Sequence, residues 1–137
     1  MENLTQLKKQ QQDKCNNLAT ECGMFFAFND YQFEQNKTPK KDDEKYLSLG
    51  AGAFMPKSNL EKYQQGMKEI SKWFKDTVEA NKQREAYIFY QLNNHECFYT
   101  GSIYEALEAL GSGYTAEEVQ SVYDNKNKLI LLALGNN

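Results

Sequence analysis

A chain of 137 residues, 40% of them hydrophobic and 26% charged, has enough apolar surface for one packed domain and enough charge to cover it. Sixteen basic and nineteen acidic residues, mixed along the chain, leave a net charge of -3 and argue against binding to nucleic acid, which requires a basic surface. No apolar run approaches the roughly 20 residues that span a bilayer, and the polar N-terminus does not resemble a secretory signal, so we expect no membrane association and a cytoplasmic location.

The first predicted element is a helix from Asn3 to Cys22, whose apolar residues recur at helical spacing. Cys15 and Cys22 lie two turns apart on its apolar stripe, where cysteines are usually small core residues. Three cysteines are an odd number, no Cys-x-x-Cys pair occurs, and no secretory signal predicts an oxidising compartment. We therefore expect free thiols and no disulfide.

A short aromatic run, Met24–Phe28, predicts a buried strand. A helical turn ending at Gln35 should follow, because an Asn-Asp pair at its start supplies capping side chains. Gln32 and Phe33 lie on this turn. The segment Lys37–Lys45 mixes both charge signs with a proline, which predicts an exposed loop.

A second strand is predicted from Tyr46 to Leu49, and a glycine-rich turn follows it. Gly50 and Gly52 in this turn, with Lys57 close behind and a helix start predicted directly after it, could bind an anion through backbone N–H groups. A single Gly-x-Gly with a proline in the connection is more often a close-packed turn. Anion binding at Gly50, Gly52 and Lys57 is therefore the alternative site hypothesis.

The longest predicted helix runs from Asn59 to about Glu79. Its apolar residues recur every three or four positions, which indicates one buried face, and we expect that face to pack across the sheet. The predicted core residues of this helix are Tyr63, Met67, Ile70 and Phe74.

The segment from Glu85 to Glu96 is consistent with two structures. A run of β-formers followed by Asn93 and Asn94 is typical of a hairpin with a two-residue turn. An apolar stripe ending at His95 is equally typical of a helix, and we favour the helix.

Two shorter helices are predicted from Ile103 to Leu110 and from Ala116 to about Tyr123, each opened by a capping residue. The apolar run Leu129–Leu134 is consistent with a strand or a helical turn. Together these elements predict an α+β fold, one mainly helical domain over residues 1–137, with a small β-sheet formed by Met24–Phe28 and Tyr46–Leu49.

The segment Gln91–Gly101 contains the single histidine of the chain, one cysteine and two adjacent amides. A lone histidine at the end of an apolar stripe is most often a structural residue, hydrogen-bonded to a carbonyl or a carboxylate. Alternatively, Asn94, His95 and Glu96 together offer donors and acceptors to a ligand at one end of the helix.

No nucleophile, base and orienting residue can be assembled from these spacings, so we predict that the protein is not an enzyme. The competing class is a small metal- or thiol-dependent hydrolase that uses His95, Glu96 and Cys97. A zinc site built from Cys15, Cys22, His95 and Cys97 has suitable ligands but lacks the closely spaced cysteine pairs of native sites. We expect no metal and no cofactor.

A protein partner is predicted from the aromatic content. Nine tyrosines and eight phenylalanines exceed what one small core holds, and tyrosine is favoured at interfaces because it combines a large area with one polar group. The sequence leaves the oligomeric state open. The predicted contact residues come from two parts of the chain and are Gln32, Phe33, Asn94, His95, Glu96 and Tyr99.

Several blocks of the sequence are similar to the recurring blocks of an uncharacterised family of small phage and prophage proteins. The resemblance covers residues 23 to 123 approximately. It implies a phage or prophage origin and a helix through the Asn-His-Glu block, and it implies no activity. The blocks that carry it are Phe25–Phe33, Leu49–Lys57, Leu92–Gly101 and Gly113–Val119.

The favoured function is that of a phage- or prophage-encoded accessory protein that binds a host or viral protein, with inhibition of a host defence system as its purpose. The alternative is a protein that sequesters a nucleotide-like small molecule. In that alternative the glycine-rich turn holds a phosphate, and Phe25, Phe28 and Phe54 stack on a base.

Overall fold

The computed structural model describes residues 1–135. Most of these residues are helical, and three short strands form one antiparallel sheet, so the predicted mainly helical α+β class is confirmed. The helices are α1 (Leu4–Glu21), α2 (Asp30–Asn36), α3 (Leu60–Ala80), α4 (Arg84–Asn94), α5 (Cys97–Thr100), α6 (Tyr104–Leu110) and α7 (Ala116–Gly135), and the strands are β1 (Phe25–Phe26), β2 (Tyr46–Gly50) and β3 (Ala53–Pro56).

The chain forms two compact units. The sheet unit is Thr5–Thr77, which contains all three strands. The helical unit comprises Met1–Leu4 and the chain from Val78 onward. The single domain predicted for residues 1–137 stays a prediction.

The sheet has the strand order β1-β3-β2, so its central strand is one that the sequence did not reveal. β3 was expected to be part of a connection, because the three residues between the glycine turn and the proline show too little alternation. Pro56 is tolerated at the end of this strand because the pairing with β1 stops at Phe54, so the missing N–H removes no bond to β1. β2 pairs with β3 from Tyr46 to Gly50, with an irregularity after Ser48.

α1 and α3 pack on one face of the sheet through a core cluster of Leu18, Cys22 and Met55. The partly buried residues around this cluster include three of the four core residues predicted for α3; they are Met24, Leu60, Tyr63, Met67 and Ile70. The fourth predicted core residue of α3, Phe74, is almost completely buried at 2% exposure.

A glycine allows α1 and α3 to approach closely. A Cβ atom added at Gly66 of α3 would lie 2.6 Å from both terminal methyl carbons of Leu18 on α1. Because carbon atoms in contact normally lie about 3.5–4.0 Å apart, any larger residue at this position would push the leucine out of its place.

The helical unit is organised around α4, which packs against α5, α6 and α7. The helix predicted for this segment is confirmed, and the alternative hairpin turn at Asn93 and Asn94 does not form. α7 is a single helix that continues well past Tyr123, so the undecided run Leu129–Leu134 is helical. The buried residues of this unit are Val78, Tyr87, Ile88, Leu92, Cys97, Ala106, Leu110, Tyr114, Val119 and Val122.

Arg84 connects the start of α4 to the start of α7. Its Nε and Nη2 atoms donate to the two carboxylate oxygens of Glu118 at 2.5 and 2.7 Å, and Nη2 also donates to the Gly113 carbonyl at 2.5 Å. The guanidinium also pairs with Glu79 and lies 4.1 Å from the ring centroid of Tyr114. A forked bond of this kind fixes the two helix ends together.

Candidate functional site

Four aromatic rings of the sheet unit pack into one cluster. Phe25, Phe33, Tyr46 and Phe54 contact one another with ring centroids 5.1 to 5.7 Å apart, mostly edge to face. Phe33, a predicted contact residue, is half-buried in this cluster, and its role as a contact stays a prediction. Phe25 and Phe54 stack on each other, so they do not form the open platform for a base that the small-molecule alternative requires.

Gln32, the other predicted contact residue of this unit, fixes the backbone between β1 and α2. Its side-chain oxygen accepts the N–H of Phe28 at 2.8 Å, and its own N–H donates to the side chain of Asn29, the N-cap of α2. One helical turn later, the Asn36 side chain donates to the Phe26 carbonyl at 2.8 Å. Gln32 therefore fixes the backbone next to Phe28, whose ring is exposed.

Three aromatic rings next to the cluster point into solvent instead. Phe26 is 55% exposed, Phe28 75% and Tyr31 74%. We call these three residues the aromatic surface. The Met24–Phe28 run was predicted to be a buried strand. In a strand that is covered on one face, however, side chains alternate between the two faces, so Phe26 and Phe28 lie on the uncovered one.

The turn that joins β2 to β3 supports the aromatic surface. Gly50, Ala51 and Gly52 all have positive φ angles, from 51° to 88°, as tight hairpin turns require. The ring of Phe28 lies directly on Gly52, where an added Cβ would come within 2.5 Å of a ring carbon. The Ala27 N–H donates to the Gly52 carbonyl at 2.9 Å, which holds β1 to this turn.

At the alternative anion site, β3 separates Gly50 and Gly52 from Lys57. A phosphate cradle of that type needs the glycine turn to lead into a helix N-terminus. Here the turn leads into β3, and a 3-10 helix, Lys57–Asn59, begins after that strand. The helix start expected just behind Lys57 is present, and only the strand between it and the glycine turn was not recognised from the sequence. Anion binding at these residues stays a prediction.

Replacing Gly52 with alanine is expected to lower the free energy of unfolding by about 1 to 2 kcal/mol, because a residue with a side chain is strained at a φ of 80° and its Cβ would overlap Phe28. Urea denaturation measures the change. The matched control is Gly50→Ala, which has a similar φ of 88° but meets no atom within 4 Å. Equal stability of wild type and Gly52→Ala would contradict the close contact with the Phe28 ring.

The other predicted contact residues lie in the helical unit, where α4 ends and α5 begins. Asn94 and Glu96 are exposed, and Tyr99 is 91% exposed. Glu96 has a left-handed φ of 55°, which ends α4 and redirects the chain into α5. Within this unit the structure brings Asn94, His95, Glu96 and Tyr99 to one end of α4, and their combination with Gln32 and Phe33 stays a prediction.

His95 is half-buried, and its Nδ1 atom lies 3.9 Å from a carboxylate oxygen of Glu105. This separation suits a charge interaction when the imidazole is protonated and is too long for a hydrogen bond. Glu108 and Ala109 of α6 line the same shallow cavity. As a structural residue, His95 was predicted to hydrogen-bond to a carbonyl or a carboxylate, and its carboxylate neighbour Glu105 lies beyond hydrogen-bond distance.

The cysteines lie in apolar surroundings. Cys22 and Cys97 are buried, and burial raises the pKa of both thiols, so at neutral pH they are protonated and poor nucleophiles. Cys15 is half-buried, and all three cysteines are free thiols. Within residues 1–135 no group of three or more histidine, cysteine or acidic side chains is placed to hold a metal ion.

Among the described residues, no helix is both long enough and apolar enough to cross a membrane. Searches of curated proteins and of solved structures found no match to the chain. A family of unknown function, DUF7659, does match it, over residues 5–131. This region is wider than the expected 23 to 123 and takes in most of α1 and four fifths of α7. The chain therefore belongs to the DUF7659 family of unknown function.

Proposed function

We propose that the chain is a phage- or prophage-encoded accessory protein that binds a host or viral protein in the host cytoplasm and thereby inhibits a host defence system. The similarity of its sequence blocks to small phage and prophage proteins supports this origin. The observation that carries the binding function is the aromatic surface, formed by Phe26, Phe28 and Tyr31.

The aromatic surface has the chemistry of an interface centre. Each exposed ring offers on the order of 150–250 Å² of area, and covering such rings with a partner removes apolar surface from water at about 25 cal/mol per Å². The backbone beneath the rings is fixed by the bonds from Gln32 and Asn36 and by the contact of Phe28 with Gly52. A partner therefore meets rings whose backbone is already ordered, which lowers the entropic cost of binding.

The helical unit supports the same function through its own exposed residues. Tyr99 is 91% exposed and is accompanied by Asn94 and Glu96, which supply hydrogen-bonding groups around an aromatic ring. Tyr104, at the start of α6, is 68% exposed. Tyrosine surrounded by polar groups is the composition typical of interfaces. Binding without catalysis also agrees with a Cys97 thiol that burial keeps protonated.

Photocrosslinking in host cells that produce the chain tests the proposal. A photoreactive phenylalanine analogue replaces Phe28, and the control places the same analogue at Lys68, an exposed position on α3 of the same unit. We expect one protein to be crosslinked at position 28 and not at position 68. An absence of any specific crosslink at position 28 would contradict the proposal.

Two double variants then assign the contact to a surface. Phe28→Ala with Tyr31→Ala should reduce recovery of the crosslinked partner by at least roughly tenfold if the rings are central to the interface. Asn94→Ala with Tyr99→Ala tests the residues that the sequence predicted. Equal recovery of the partner by wild type and the first variant would remove the aromatic surface from the interface.

A further inference from the structure

Two basic side chains of the helical unit are each held between a carboxylate and an aromatic ring. The Lys126 ammonium lies 3.8 Å from a carboxylate oxygen of Glu85 and 5.2 Å from the ring centroid of Phe89. The guanidinium of Arg84 is held by a carboxylate and a ring in the same way. Within this unit, a carboxylate beside a ring is therefore a site that binds an organic cation.

A cavity where α4 ends and α5 begins brings a third set of such groups together. It has a volume of about 370 Å³ and is lined by Asn93, Glu96, Phe98 and Tyr99. We call it the α5 cavity. Within the part of the chain that the structure describes, no lysine or arginine side chain pairs with Glu96 or lies over either ring. The α5 cavity therefore has the groups of a cation site, and no basic residue of its own unit uses them.

The chemistry of the α5 cavity selects a cation over other groups. The Glu96 carboxylate repels an anion, and an apolar group would cover the carboxylate and the Asn93 amide without giving either a hydrogen bond. An ammonium or guanidinium group satisfies both, and it is also attracted to the faces of the rings. Glu96 is exposed and Tyr99 is 91% exposed, so both can reach a group on another molecule.

The backbone at Glu96 also points to a role for its side chain. Its φ of 55° lies in the left-handed region, where glycine or asparagine is the usual residue. Residues in this conformation are concentrated at functional sites. The helical unit has nine acidic residues against four basic ones, so its net charge also attracts a cation from solution.

We propose that the α5 cavity binds a basic side chain, arginine or lysine, of a protein partner. This inference rests on the proposed function, because it takes the cation from a protein. A second cavity of about 520 Å³ lies beside the first, since Asn93 lines both, and its apolar walls include Leu4, Phe89 and Tyr90. A polypeptide with an apolar residue next to the basic one can use both cavities, whereas a free amine can use only one.

Titration of the full chain with short peptides, followed by amide NMR spectra, tests the proposal. The probe is acetyl-Leu-Arg-Leu-amide, and the matched probe replaces arginine with citrulline, which has nearly the same shape and no charge. We expect the arginine peptide to bind with a dissociation constant on the order of millimolar, at least about threefold more tightly than the citrulline peptide. The signals that shift should be those of Asn93, Glu96, Phe98 and Tyr99.

A double variant assigns the binding to the α5 cavity. Glu96→Gln with Tyr99→Leu removes the charge and one ring, and it should weaken binding of the arginine peptide by at least about fivefold. Since both side chains are exposed, the melting temperature should not change. The matched control is Glu117→Gln, which removes an exposed carboxylate from α7 of the same unit and should bind the peptide as the wild type does.

Equal binding of the arginine and citrulline peptides would overturn the proposal, and so would equal binding by the wild type and the double variant. Butylguanidine carries the same cation without a peptide, and binding as tight as that of the arginine peptide would overturn a protein side chain as the occupant. These titrations need no partner. Specific peptide binding without a crosslink at Phe28 would therefore support the α5 cavity and contradict the proposed function alone.

Discussion

Replacing Phe74 with alanine is expected to lower the free energy of unfolding by about 3 to 5 kcal/mol, the range for removing a buried phenylalanine ring. Phe74 is 2% exposed in α3, so the change removes a ring that is completely withdrawn from water and leaves a cavity. Urea denaturation followed by circular dichroism measures the loss as a lower transition midpoint at an unchanged slope.

The control for this prediction is Phe28→Ala, which removes the same ring from a position that is 75% exposed. This variant should change the free energy of unfolding by less than about 1 kcal/mol, while it weakens capture of the proposed partner. A Phe74→Ala protein as stable as the wild type would show that α3 does not bury this residue.

Replacing Arg84 with alanine is expected to cost about 2 to 3 kcal/mol of stability at neutral pH. The substitution removes the forked bond to Glu118 and the contact with Tyr114, and a hydrogen bond to a charged group contributes about 1.5 to 3 kcal/mol before solvent exposure reduces it. Lys72→Ala is the matched control. It breaks the exposed pair with Asp76 and should change the stability by less than about 0.5 kcal/mol.

The Arg84 contribution should depend on pH. The hydrogen bond from Arg84 holds the pKa of Glu118 below its ordinary value, so the folded state favours the ionised carboxylate. A lowered carboxyl pKa stabilises the fold at neutral pH, and this stabilisation is lost as the pH falls through the lowered pKa. Denaturation midpoints of wild type and Arg84→Ala should therefore converge in acid. A difference that stays constant down to the acid limit would contradict this role for the ion pair.

Local patterns in the sequence predicted the helices better than the sheet. Helix signals come from residues that are close in sequence. Examples are the apolar stripe of α3 and the cap at Thr115, whose side chain accepts the Glu118 N–H at 3.2 Å. β3 forms because it pairs with β1, which is distant in sequence, and with β2, which lies across a turn. Its four residues alone show too little periodicity to predict a strand. The length of α7 was missed because an apolar run on all sides of a helix resembles a buried strand.

The burial of the predicted contact residues was also harder to predict than the helices. Tyr99, a contact residue predicted from the sequence, is exposed, whereas Phe33, predicted in the same way, is half-buried by Phe25, Tyr46 and Phe54, which come from three other segments. The excess of aromatic residues in the sequence predicts a binding surface. Which rings join the cluster and which face solvent is decided by tertiary packing, so the sequence pattern does not predict it.

The bonds from α2 to β1 limit the ways in which a partner can use the sheet. An unpaired outer strand usually offers free N–H and C=O groups that accept an additional strand from another chain. In β1 the Phe26 carbonyl already binds Asn36, and the neighbouring Phe28 N–H already binds Gln32. A partner that binds next to β1 should therefore contact the aromatic rings rather than pair with the strand, so its backbone need not be extended. The same two side chains also protect the strand against edge-to-edge aggregation.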